Sequence, residues 1–207
     1  MQPPVPLRVI KLGGSLLELE DVQQRFYAWL QQQLPARNLI VTGGGQAVEA
    51  IREIDAIHHL PAQFTHWLCV DLMCVTATLA SELLDIVQLI STDIELSEFL
   101  ARPFEIPTIA CIQPTAYYTT SIAQQRNCSL PETWDCTSDS ISAWLARSLA
   151  ADQLVLLKSM EADFASKTAL SPSELRDLAD AGAVDRVFPQ ASQDLSNVRI
   201  VNLRNFV

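Results

Sequence analysis

Short apolar stretches alternate along this chain with longer ones in which apolar residues recur every three or four positions. Leu7 to Leu12, Asn38 to Thr42, Asp85 to Ile90, Thr108 to Ile112, Gln153 to Leu157 and Val198 to Leu203 have the length and the aliphatic content of strands. Between them, Glu18 to Leu34 carries Leu19, Val22, Phe26, Trp29 and Leu30 at helical spacing, and Pro35 closes it. Gln46 to His58 repeats the pattern with Ala47, Ile51, Ile54 and Ile57. A long helix is expected from Ala62 to Leu84, opened by Pro61, and a short one from Glu95 to Ala101, capped within Ser91-Thr92-Asp93. Thr137-Ser138-Asp139 caps a helix reaching about Ala150. Ser171-Pro172-Ser173-Glu174 is a capping box that opens a helix to Ala181, ended by Gly182. Strands joined by helical crossovers predict an α/β fold with a mainly parallel sheet. Gln113 to Trp134 has no clear period, and Tyr117, Tyr118, Gln124 and Arg126 in it suggest an active-site loop or flap.

Five of the chain's six glycines fall in two runs, Gly13-Gly14 and Gly43-Gly44-Gly45, each between an expected strand and the segment after it. A tight turn explains one such run. Two of them in a glycine-poor chain point to close approach of backbone to a ligand. A strand that breaks on glycines and re-enters as a helix aims several N–H groups at one point, where the helix dipole favours an anion. Lys11, just before the first run, adds the full positive charge that a phosphoryl group in transfer would need.

Neither run has the spacing of a P-loop or of a dinucleotide fold. Instead Lys11-x-Gly13-Gly14-Ser15, Gly43-Gly44-Gly45 and Ser138-Asp139 at a helix start, in that order, resemble the amino acid kinase superfamily. The resemblance covers most of the chain. It implies a three-layer α/β/α sandwich formed by one domain, residues 1–207, with an acceptor-binding half over 1–134 and a nucleotide-binding half over 135–207. It also implies ATP and Mg2+ as cofactors, and transfer of the γ-phosphoryl to a small acceptor. On this resemblance Asp139 holds Lys11 and a second lysine, although an aspartate at a helix start is also an ordinary cap. The second lysine is Lys158 or Lys167. The segment after Lys158 lacks the Thr-Asp-x-x-Gly usual in the family, which leaves open a kinase-like binding or regulatory protein without catalysis.

Acceptor contacts are expected from Arg52, Asp55 and His66. Arg52 and Asp55 lie three residues apart on one helix, where they form either a surface ion pair or a pair of contacts to an anionic group and an amine. His66 is a hydrogen-bonding partner or a core histidine. No general base stands out, which favours an acceptor that is already ionised, a phosphate or carboxylate. The short length and the order Gly-Gly-Gly, Arg52-x-x-Asp55, His66-Trp67 resemble the branch linked to methanofuran and tetrahydromethanopterin one-carbon metabolism, in which an aminomethylfuran phosphate is the acceptor.

Composition narrows the choice of partners. With 207 residues, 49% apolar content and only 18% charged residues, the chain has enough material for a core. A net charge of −10 disfavours a nucleic-acid partner, since phosphate backbones require a basic face. No uninterrupted apolar run reaches the roughly 20 residues that span a bilayer, and Met1-Gln2-Pro3-Pro4 does not resemble a signal peptide. These features, with cysteines odd in number and not in paired C-x-x-C spacing, lead to the expectation of a cytoplasmic protein with reduced thiols. No metal site of protein ligands is expected, since Mg2+ would arrive with the nucleotide. The apolar long helix suggests a homo-oligomer.

Overall fold

The structure is a computed structural model and describes residues 5–103, 108–160 and 170–206. Six strands, β1 (Leu7–Leu12), β2 (Arg37–Thr42), β3 (Leu89–Ile90), β4 (Thr108–Ile112), β5 (Gln153–Lys158) and β6 (Val198–Asn202), form one sheet in the order β3-β4-β2-β1-β5-β6. Every pairing is parallel. The chain leaves β1 toward β2 on one side and returns to β5 on the other. The carboxyl end of β1 is therefore a topological switch point, the place where open parallel sheets bind ligands.

Side chains alternate across the sheet, and each face builds its own core. Val9, Leu39, Val41, Leu154 and Leu156 pack with Phe99 of α4 (Asp93–Ala101), Ile141 and Leu145 of α6 (Ser138–Ser148), Leu175 of α7 (Pro172–Asp180) and Phe188 of α8 (Phe188–Ala191). Ile10, Leu12, Ile40, Val155 and Leu157 face the other way, onto Phe26 and Trp29 of α1 (Val22–Leu30). Each such aliphatic or phenyl side chain contributes about 1.5–3 kcal/mol by leaving water. Burial on both faces explains the near-continuous apolar runs of β1, β2 and β5. These layers form the α/β/α sandwich expected from the sequence.

Three segments depart from the sequence reading. Gly14–Glu18 is a 3-10 turn and α1 begins only at Val22, so the first glycine run does not open directly into an α-helix. The third strand shrinks to Leu89–Ile90 because Asp85 adopts a left-handed conformation (φ 53) and Val87 is 99% exposed, so the residues before it cannot join the ladder. Within Gln113 to Trp134, Tyr117 and Tyr118 are core residues rather than flap residues, with the short α5 (Thr120–Gln125) following them.

The helix α2 (Gly45–His58) has no buried residue. The helix α3 (Ala62–Leu83) is, by length and composition alone, apolar enough to cross a membrane, a property hidden from a search for uninterrupted runs by Asp71 and scattered polar residues. Its inner side, with Val70, Met73, Ala77 and Ala80, is buried in this fold.

Candidate functional site

Two residues after Val9 comes Lys11, and two after Leu156 comes Lys158, so strand alternation puts both lysines on the face covered by α6. There they meet Asp139 in the first turn of that helix. Lys11 Nζ lies 2.8 Å from Asp139 Oδ1, and Lys158 Nζ donates to Oδ2 at 2.5 Å. The carboxylate side chain is 4% exposed, that of Lys11 6% and that of Lys158 15%. Burial pushes the Asp139 carboxyl up, but the two ammonium groups outweigh it and hold it well below the ordinary carboxylate range. Burial lowers the Lys11 pKa; Asp139 partly offsets this, and the neighbouring charge of Lys158 adds to it. Two cations on one anion leave a net positive charge at a helix N-terminus, where a phosphate is favoured.

The glycine runs close around this triad. Gly13 N donates to Leu157 O at 2.9 Å and Gly43 N to Leu12 O at 2.8 Å, which ties the first turn to β5 and the second to the end of β1. A Cβ on Gly14 would fall 2.5 Å from Gly45 Cα and 2.8 Å from Gly43 O. On Gly43 it would fall 3.0 Å from Gly14 N, 3.1 Å from Ser138 Oγ and 3.4 Å from Lys11 Nζ. Side chains are thus excluded where the two turns cross, and Gly45 needs its positive φ of 56° to start α2. Lys11, Gly14, Ser15, Gly43, Gly44, Gly45, Ser138, Asp139 and Lys158 all line one cavity of about 300 Å³. Ser15 Oγ is 2.9 Å from Ser159 Oγ at its rim.

A larger groove of about 1180 Å³ opens from the same triad, lined by Asp139 and Lys158 and then by Arg176, Gly182, Asp185 and Gln193. Arg52 and Trp134 stand between this groove and a small chamber of about 60 Å³. Arg52 also lines the 300 Å³ cavity, stacks its guanidinium 4.3 Å from the Trp134 ring centre and pairs through Nε with Glu49 at 3.2 Å. It does not pair with Asp55. Asp55 accepts from Leu60 N at 2.7 Å and from Trp134 Nε1 at 2.6 Å, so both of its oxygens are engaged within the chain and it positions Trp134. His66 is buried, shares a hydrogen bond with Tyr118 Oη at 3.1 Å and lines the small chamber; burial lowers its pKa, keeping it neutral near pH 7. Lys167 lies outside the described residues.

The sequence reading passed over Asp185, which holds the site's helices together. Its carboxylate accepts from Thr137 N, Thr137 Oγ1, Ser140 N and Ser140 Oγ of α6 and from Val187 N and Phe188 N at the start of α8. Burial and the charge of Asp139 raise its pKa, and these hydrogen bonds oppose the rise. An aspartate four residues before Pro189 is the signal that was available. Trp134 was noticed only as the end of an irregular stretch. Its bond to Asp55 spans too much sequence to be read from spacing.

A parallel sheet with paired glycine turns and a buried Lys–Asp–Lys triad at its carboxyl edge defines an α/β protein with a cationic cleft at the usual ligand-binding edge of the sheet. The chain belongs to the amino acid kinase family, whose model matches residues 6–162. The fold is similar to the uridylate kinase of Archaeoglobus fulgidus (18% identity, TM-score 0.58, covering 96% of this chain and 92% of that one). It is also similar to the UMP kinase of Bacillus anthracis (12% identity, TM-score 0.62, covering 97% and 88%). A third similar structure is the aspartate kinase of Synechocystis, matched over 96% of this chain but only 38% of its own length (14% identity, TM-score 0.60). Comparison with curated protein sequences returns no significant match. Family and fold together support a phosphotransferase.

Proposed function

We propose that the protein transfers the γ-phosphoryl group of ATP to a small anionic acceptor, a phosphate or a carboxylate. The observation that carries this reading is the Lys11–Asp139–Lys158 triad beneath the crossing of the two glycine turns. Asp139 fixes both ammonium groups without searching among rotamers, so positive charge is already in place where negative charge develops. Backbone N–H groups of the turns would hold the phosphoryl oxygens. The groove lined by Arg176 and Gln193 has room for the rest of the nucleotide, which fits a nucleotide half over 135–207. Arg52 and His66 come from the other half, 1–134, beside the cavity.

Bound ATP would supply the phosphoryl group, and its oxygens would supply the Mg2+ ligands. Among the described residues no group of three or more His, Cys, Asp or Glu side chains is arranged to hold a metal ion. An ionised acceptor needs no base, and the chain's work is alignment and charge neutralisation. Lys158 on Asp139 supports a catalytic protein over an inactive kinase-like one, because an intact triad is what transfer requires.

Incubation with Mg-ATP and a panel of phosphate- and carboxylate-bearing metabolites, aminomethylfuran phosphate among them, should release ADP with at least one. No ADP with any of them, together with no ATP binding by calorimetry, would count against the reading. We also infer a homo-oligomer that covers the outer side of α3, where Phe64, Val75, Leu79 and Leu83 are exposed.

A further inference from the structure

The Asp185 carboxylate is divided between two helix starts. Its Oδ2 accepts from Thr137 N at 2.9 Å, Thr137 Oγ1 at 2.8 Å and Ser140 N at 3.0 Å, where α6 begins. Its Oδ1 accepts from Ser140 Oγ at 2.5 Å, and from Val187 N at 3.1 Å and Phe188 N at 2.9 Å, where α8 begins. Thr137 N, Ser140 N, Val187 N and Phe188 N are backbone groups that can only donate, so these surroundings suit a carboxylate better than a carboxylic acid. Ser140 N belongs to the third residue of α6, whose N–H a helix's own capping side chain often takes. Here the Thr137 hydroxyl donates to Asp185 and reaches only Asp139 N, at 3.4 Å. The first turn of α6 is thus fixed by a residue from a later segment. Asp139, with both lysines on it, lies in that turn between the two residues that Asp185 holds.

Charge adds to the geometry. Two carboxylates favour the ammonium form of Lys11, Asp139 in direct contact and Asp185 at longer range, while Lys158 opposes them. The remaining charged side chains described on the groove, Arg52, Asp135, Arg176, Asp180 and Arg186, are exposed, where water and salt screen them. We infer that Asp185 is a positioning residue for the triad: one carboxylate closes the starts of α6 and α8, holds Asp139 where both lysines reach it, and supplies a second negative charge that keeps Lys11 an ammonium ion. It acts through Asp139 and Lys11 and touches no reacting atom. The inference rests on the phosphotransferase reading only for the purpose of the triad, and its test needs no turnover. Removing the Asp185 charge disfavours the charged form of Lys11, whereas a residue that only ties two helices together alters stability alone.

The chain has three lysines, Lys11, Lys158 and Lys167, so NMR of the full chain carrying 13C-labelled lysine resolves each side chain, with Lys11→Arg assigning the first. In Asp185→Asn, which keeps the size of the side chain and loses its charge, Lys11 should titrate at least about half a pH unit lower than in the wild type. A smaller shift in the folded variant, whatever its melting temperature, overturns the inference. Should Asp185→Asn fail to fold, Ser140→Ala keeps the charge and removes one hydrogen bond to Oδ1. The Lys11 ammonium protons should then exchange with water at least about threefold faster, and unchanged exchange overturns the inference equally. Wild-type turnover of Mg-ATP, measured in parallel, separates the two proposals. No ADP counts against the phosphotransferase, and an unmoved Lys11 counts against Asp185.

Discussion

Gly14 and Gly45 touch backbone to backbone: a side chain on Gly14 would fall 2.5 Å from Gly45 Cα, well inside van der Waals contact. Two turns that lie far apart in sequence thus cross as bare main chain, directly over Lys11. Gly14→Ala is expected to push the turns apart, weaken ATP binding at least about tenfold and lower stability by about 1–3 kcal/mol, in the range of overpacked sites. Calorimetry and denaturant unfolding check both effects. Unchanged nucleotide affinity in a folded variant would mean that the crossing does not shape the phosphate site.

Removing one ammonium group should cost turnover more than folding. Lys11→Ala is expected to reduce kcat about 100-fold, the usual loss when one donor to developing charge disappears. Lys158→Ala should act in the same direction. Steady-state assays with Mg-ATP measure both. Turnover within twofold of wild type in either variant would remove that lysine from the mechanism.

Asp139→Ala should be the most damaging change for stability, because it leaves two ammonium groups facing each other without the carboxylate that pairs with both. Breaking a buried pair by removing one partner costs about 3–5 kcal/mol. Chemical denaturation at neutral pH measures this, and a loss below about 1 kcal/mol would show that the triad is not buried as described.

Much of this arrangement was legible in the sequence, and the reasons are physical. Strand alternation and the strand ends fixed where Lys11 and Lys158 point, and Thr137 marked the helix start that presents Asp139. β1, β2, β4 and β5 were readable because each has a central run of aliphatic or small apolar residues, Val9-Ile10, Leu39-Ile40-Val41, Ile109-Ala110-Cys111 and Leu154 to Leu157, with polar residues mostly toward the strand ends. What stayed hidden depends on contacts between distant segments. Asp185 lies outside every periodic segment and was passed over, yet it accepts hydrogen bonds from α6 and α8 together. Asp55 looked available for a ligand because its partner Trp134 is 79 residues away. Tyr117 and Tyr118 lacked helical or strand period because they fill the core from a turn and the segment after it.

The depressed pKa of Lys11 gives a pH signature. Its ammonium is lost at a pH below the ordinary lysine value of 10.5, so turnover should fall on the alkaline side before that pH is reached. In that window the unfolded chain still holds the proton that the folded chain has lost. This titration therefore raises folding stability as pH rises, and lost activity is not unfolding. A pH-rate profile run beside thermal melts checks it; full activity retained through pH 10.5 would contradict the assignment.

Exposed Val75 and Leu79 on α3 lead to a further expectation. Val75→Lys with Leu79→Glu should reduce the sedimentation mass from an oligomer to a monomer while leaving the thermal transition cooperative. A wild-type chain that sediments as a monomer at micromolar concentration would remove the proposed interface.

A crystal structure with a non-hydrolysable ATP analogue and Mg2+ is the most direct measurement. The γ-phosphate should lie within hydrogen-bond distance of Lys11 Nζ and of backbone N–H groups from both glycine turns, with Lys158 on the β- or γ-oxygens and Asp139 still between the two lysines. A nucleotide bound elsewhere, or phosphates seated away from residues 11–15 and 43–45, would contradict the account.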